Sequence, residues 1–297
     1  MLHLHTSFLP IAASPLPLPM TPILPSRFLM GVQRMPLSAR REFASLLDWS
    51  RPQPVELARE GWWVRANQIL LEHRAPRKEE IEKMVAEAEF RPRRGMAELL
   101  RKLAELDVPV LVVSAGCSDL IEQFLAQHGV LTPNVHVSSN RLIWHEDSGH
   151  LVGCEPHPPI TSYCKALTHA RNADFFVAHA SRQTLLVLGD RRSDLQVASG
   201  VPHNLLVSVG LYNTASEVGP QIHDAFKPKA LAAADVGASG LRAASSVDVE
   251  VHADADGSLY AYFEDFDALC VGHAASLQPL VDLLGEWESA CRARQEA

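Results

Sequence analysis

The sequence predicts a doubly wound parallel α/β sheet with a helical subdomain. Three observations predict it. Apolar runs of strand length alternate with stretches of helical periodicity. Three helical patterns follow one another before the first strong strand. Several strand-like runs stop abruptly on Ser, Gly or Asp, where a βα loop begins.

The helical patterns are "PVELAREGWWVRANQILLEH" (Pro54 to His73), "RKEEIEKMVAEAEF" and "RGMAELLRKLAELD". The pattern then switches to "VPVLVVS" (Val108 to Ser114), a β-branched run suited to a strand buried on both faces. "AGCSDLIEQFLAQHGV" follows as a loop, a Ser118 cap and a helix. "NVHVSSNRLIW" and "HLVGC" flank "HEDSG" and predict a hairpin, while "SYCKALTHARN" predicts a short helix. "TLLVLGD" and "HNLLVSVG" are two further strands with "SDLQVAS" between them, and "SLQPLVDLLGEWESACRARQ" is an amphipathic helix.

These patterns divide the chain. Residues 1–41 are expected to be a Pro-rich disordered extension, residues 42–96 a helical subdomain, and residues 97–297 an α/β core with an insertion at about 214–262. Inside that insertion, "KALAAADVGASGLRAASS" is low in complexity and has no firm period.

Composition excludes several function classes. A formal charge of −8 argues against non-specific nucleic-acid binding, which needs clustered cations to displace phosphate counterions. A small substrate is expected instead. Five scattered cysteines without a C-x-x-C pair argue against a disulfide framework and for a reducing compartment, the cytoplasm. Residues 1–41 hold seven prolines, four arginines and no acid. Those prolines interrupt every apolar run, so no membrane span is expected there. Such a leader has three readings: a disordered extension, sequence that replaces the true start, or an organelle transit peptide that would move the protein out of the cytoplasm. The oligomeric state is left open.

The chemistry-bearing residues lie where strands end. Ser114-Ala115-Gly116 opens a helix, Lys165 starts another, and Asp190 and Asp194 follow the run "LLVLG". A hydroxyl with backbone N–H groups binds a phosphate, a lysine neutralises it, and carboxylates hold Mg²⁺ against it. Together they describe a phosphoryl site.

The order and spacing of these pieces resemble the haloacid dehalogenase superfamily of phosphohydrolases. Within it, the blocks "VPVLVVSAGCSDLIEQFLAQHGVLTPNVHVSSN", "SYCKAL" and "LLVLGDRRSDLQVASGV" resemble the cytosolic pyrimidine 5′-nucleotidase family, from about Trp62 to Asn213. The resemblance implies a haloacid-dehalogenase-like sheet in which residues 42–96 form a cap, and a Mg²⁺-dependent hydrolase of nucleoside, chiefly pyrimidine, 5′-monophosphates. It implies that Ser114 donates its hydroxyl to the phosphate, that Ala115 and Gly116 offer amides, and that Lys165 bridges phosphate and nucleophile. Asp190 would ligate the metal and Asp194 would support it. Trp62 and Trp63 stand either as stacking surfaces or as core packing, with packing favoured.

One piece is missing. The family's nucleophile is the first aspartate of an Asp-x-Asp-x-Thr motif on the central strand, and no such motif precedes Ser114: Asp48 is followed two residues later by Ser50. The sheet is therefore expected to lack its central strand. Asp254-x-Asp256 imitates the motif but reads more simply as a hairpin turn. His145, His150, Cys154 and His157 match no structural zinc spacing. Cys117, beside a helix N-terminus, is either an activated thiol or an inert one, and inert is favoured. The expected activity is phosphomonoester hydrolysis. The alternative is a catalytically impaired or truncated relative that binds phosphate or a protein partner.

Overall fold

Strand β2 (Val110–Cys117) organises the sheet, and its first four residues are buried, as a β-branched run covered on both faces requires. The structure, a computed structural model, describes residues 9–11, 35–39, 42, 62–73, 76–87, 92–161, 165–190, 192–212, 259–272 and 275–296. On one side of β2, strand β1 (Leu9–Ile11) pairs parallel, with Leu9 opposite Val110 and Ile11 opposite Val112. On the other side β3 (Val135–Trp144) pairs parallel and then turns back antiparallel as β4 (Leu151–Glu155), the predicted hairpin. Strands β5 (Thr184–Gly189), β6 (Leu205–Tyr212) and β7 (Ala268–Val271) form a second parallel set, and β1 packs beside β5.

The expected gap at the centre of the sheet is corrected by β1. An apolar Leu-Pro-Ile run from the acid-free leader lies between β2 and β5. Pro10 has no N–H to give to a ladder, which suits a strand of only three residues.

A polar clasp marks the common starting edge of β2 and β5. Arg182, just before β5, donates through Nη2 to the Asp107 carbonyl at 2.7 Å, and Asp107 lies just before β2. Both strands therefore start at one edge and deliver Ser114–Cys117 and Gly189–Asp190 to the other.

Helices cover both faces. Helix α1 (Trp62–Glu72) and α2 (Glu80–Glu87) precede α3 (Met96–Glu105), which buries Met96, Leu99, Leu100 and Leu103 at helical spacing. After β2 comes α4 (Ser118–Gln127); between β4 and β5 lie a 3₁₀ turn (Lys165–Leu167), α5 (Thr168–Arg171) and α6 (Ala173–Ala178). A 3₁₀ helix (Arg192–Ala198) links β5 to β6, and α7 (Leu259–Asp265) and α8 (Gln278–Glu296) flank β7. Val110 and Val112 of β2 share one core with Leu186 and Leu188 of β5, under α3, α4 and α8. Leu111 and Val113 share the other with Leu185, Val187 and Phe176. A third core seats Ala66, Ile69 and Leu70 of α1 on Leu151 of β4, together with Met35 and Ala39 from the leader. Among the described residues no helix is long and apolar enough to cross a membrane.

Candidate active site

The end of β2 is shaped by Asn140, a residue to which sequence reasoning assigned no role. Asn140 is 2% exposed, and its amide donates to the carbonyls of Ala115 (3.0 Å), Gly116 (3.1 Å) and Ile160 (2.9 Å). Its Oδ1 accepts the Ile160 N–H at 2.7 Å, and Ser139 Oγ adds a second donor to the Gly116 carbonyl at 2.8 Å. In a trans peptide the carbonyl and the following N–H point oppositely. Drawing the Ala115 carbonyl toward Asn140 turns the Gly116 N–H the other way, onto Ser114 Oγ at 3.0 Å. Ser114-Ala115-Gly116, expected to open a helix, instead form the irregular end of β2, where the Gly116 amide is engaged internally, whereas the Ser114 hydroxyl, having accepted that bond, keeps its proton for an outside acceptor.

The second loop is built around a buried ion pair. Lys165 is 6% exposed and Asp194 0% exposed, and the Lys165 ammonium bonds Asp194 Oδ1 directly. Asp194 Oδ2 accepts the Asp190 N–H at 2.9 Å. A carboxylate this deep needs both of its oxygens bonded, because an unpaired buried charge is strongly unfavourable. Burial pushes the Asp194 carboxyl up to about 6, with the Lys165 ammonium drawing it down and the Asp190 carboxylate raising it further. Gly189 makes the approach feasible: a Cβ there would stand 2.3 Å from Asp194 Cβ. Thr168 Oγ1 donates to the Lys165 carbonyl at 2.6 Å and anchors the turn that carries the lysine.

The structure therefore joins Lys165, Asp190 and Asp194 in one bonded cluster and brings Ser114, Ala115 and Gly116 to the same edge of the sheet. Asp48 and Asp254-x-Asp256 lie outside the described residues, and so do the side chains of Trp62 and Trp63. The strand beside β2 is followed in sequence by Ala12, Ala13 and Ser14, and the first acid of the chain is Glu42.

The Mg²⁺ expected from the resemblance can be tested against these donors. Asp194 already spends its oxygens on Lys165 and on the Asp190 amide, which leaves Asp190 as the carboxylate for a metal. Among the described residues no group of three or more His, Cys, Asp or Glu side chains could hold a metal ion. The described residues do not by themselves make a Mg²⁺ site.

Three further expectations bear on the same region. Cys117, not Ser118, is the residue before the first turn of α4, and Ser118 is buried inside the helix. Burial pushes the Cys117 thiol up to about 12, reinforced by the Asp119 carboxylate beside it, so the activated reading fails. Asp119 instead fastens α4 to β3, accepting the Leu142 N–H at 2.9 Å and Trp144 Nε1–H at 3.0 Å. In the hairpin, the His145 N–H bonds the His150 carbonyl at 2.8 Å, an ordinary closure of the turn.

Parallel strands, with a hydroxyl at the irregular end of β2 and a Lys–Asp cluster gathered at the end of β5, fit a haloacid-dehalogenase-like α/β fold. Residues 55–226, more than half of the chain, match the profile of the pyrimidine 5′-nucleotidase (UMPH-1) family, and the chain belongs to that family. It is similar to the 7-methylguanosine phosphate-specific 5′-nucleotidase of Gallus gallus, 34% identical over 173 residues, covering 58% of this chain and 57% of the relative. The Homo sapiens protein of the same name is 30% identical over 158 residues, covering 52% and 51%. The chain thus spans about half the length of the curated relatives it matches. Its fold resembles the crystal structure of cytosolic 5′-nucleotidase IIIB bound to cytidine, with a TM-score of 0.62 and 22% identity over 89% of this chain and 77% of that one.

Proposed function

We propose that this chain holds the phosphate of a nucleoside 5′-monophosphate between the Ser114 end of β2 and Lys165, and that it acts as a 5′-nucleotidase. The observation that carries the proposal is the buried Lys165–Asp194–Asp190 cluster at the same sheet edge as Ser114. An ammonium has three donors, and Lys165 uses one on Asp194 while others remain for phosphate oxygens. Asp194 holds that ammonium in place, and the Ser114 hydroxyl supplies a neutral donor. The names of the relatives support a pyrimidine or 7-methylguanosine monophosphate as substrate. Residues 42–96, with α1 seated on the β3–β4 hairpin, are proposed as the cap over the nucleoside, and the cytoplasm as the compartment. Mg²⁺ enters this reading only with ligands from beyond the described residues.

A second reading, binding without turnover, is favoured by one observation. The strand between β2 and β5 is Leu-Pro-Ile, and no carboxylate follows it until Glu42. Phosphate release from CMP, UMP and 7-methyl-GMP by the purified chain with Mg²⁺, measured against Asp190→Asn, separates the two. Release above that control establishes the hydrolase. No release, with CMP binding that is lost in Lys165→Met, establishes the binding protein. Neither release nor binding removes the phosphate-site proposal.

A further inference from the structure

Asp190 is held from both sides of its backbone. Its N–H donates to Asp194 Oδ2 at 2.9 Å, and its carbonyl accepts the Tyr262 hydroxyl at 2.8 Å. Tyr262 belongs to α7, on the far side of the low-complexity stretch and 72 residues away in sequence. A second tie lies beside it: the Arg192 guanidinium pairs with Asp265, its Nη2–Oδ1 contact being 3.0 Å. Helix α7 is itself moored to β6. Asp267 just beyond it accepts the Ser208 N–H and hydroxyl, both at 2.8 Å. The Tyr262 ring meets Tyr212 edge-on, with centroids 4.9 Å apart, and stacks on the buried Phe266 at 5.7 Å.

We infer that Tyr262 is a positioning residue for the phosphate site, fixing the Asp190 peptide through its hydroxyl while Arg192–Asp265 fixes the loop two residues on. The inference rests on the proposal that the Asp190 loop serves a phosphate. The geometry separates two functions of one side chain. The ring packs α7 against β6, and the hydroxyl reaches past that packing to a carbonyl at the site. Rotation about the Asp190 Cα–C bond moves that carbonyl, and the following peptide with it. The Tyr262 hydroxyl opposes that rotation from one side, just as Asp194 restrains the Asp190 N–H from the other.

Tyr262→Phe keeps the ring contacts and removes only the hydroxyl. Hydrogen exchange of the full chain is measured over peptides covering residues 186–196 and, as reference, residues 110–117. In the variant the first set is expected to exchange about fivefold faster, the factor set by one net hydrogen bond, with the reference unchanged. The affinity for inorganic phosphate, measured by calorimetry, is expected to fall by about the same factor. Unchanged exchange at 186–196, or an equal rise in both sets, overturns the inference. So does locally faster exchange with full phosphate affinity. If the unaltered chain fails to bind phosphate, and Lys165→Met changes nothing, the functional proposal fails; the bracing of Asp190 is then decided by exchange alone.

Discussion

The irregular end of β2 and the loop after β5 lie at the same edge of the sheet, yet they are held by different means. The first is neutral and held locally, with Asn140 and Ser139 on the adjacent strand drawing in the Ala115 and Gly116 carbonyls. The second is ionic and held by distant segments, with Lys165 from a separate turn bonding Asp194 and Tyr262 from α7 bonding Asp190. A cradle of peptide groups needs only its neighbouring strand, whereas a buried charge pair needs partners converging from several directions. Damage to the second loop should therefore spread further.

The largest effect is expected at the ion pair. Asp194→Ala leaves the Lys165 ammonium buried without its counter-charge and should cost roughly 3–5 kcal/mol in denaturant unfolding. A loss under about 1 kcal/mol would show that water reaches the lysine and that the pair is not the centre of this loop. Asn140→Ala tests the neutral loop: it strips bonds from three carbonyls and one N–H, at an expected cost of about 3 kcal/mol. If the contrast between loops is right, its hydrogen-exchange changes stay near residues 114–117 and 160, while those of Asp194→Ala reach 165–168 and 189–198.

Smaller changes sharpen the comparison. Gly189→Ala places a methyl group against Asp194 and should destabilise by about 1–3 kcal/mol, because the ion pair leaves no room to retreat. Full stability in that variant would show that the β5 loop relaxes easily. The smallest expected effect is chemical. A thiol at about 12 rather than the ordinary 9.0 stays protonated as pH rises through the usual range. At pH 8 Cys117 therefore stays a thiol, and iodoacetamide should label it far more slowly than an unhindered small thiol such as glutathione. Rapid labelling of Cys117 at that pH would mean that the start of α4 opens to solvent.

Much of the candidate site was legible in the sequence, because its parts sit at strand ends whose apolar runs announce them. Val110 to Ser114 and Leu185 to Gly189 are strands by residue type alone, so the polar residues following them fall at the sheet edge. Asn140 lay within a quoted block but carried no signal of its role, since a buried asparagine and an exposed one look alike in sequence. Tyr262 had less signal still, standing after the low-complexity stretch in a helix of seven residues. The place of Leu9–Ile11 was hidden by the prolines around it: pairing across a hundred residues depends on an open strand edge, not on local propensity.

By itself the sequence determined the parallel α/β class, the family, the candidate phosphate residues and the absence of an Asp-x-Asp-x-Thr motif before Ser114, because periodicity, motif spacing and residue identity are local properties. Tertiary structure alone decided that Asp194 turns its oxygens to Lys165 and the Asp190 amide, that the Gly116 N–H is spent on Ser114 within the end of β2, and that Tyr262 reaches Asp190. Those outcomes depend on where buried donors and acceptors meet, and only the fold brings residues far apart in the chain to one place.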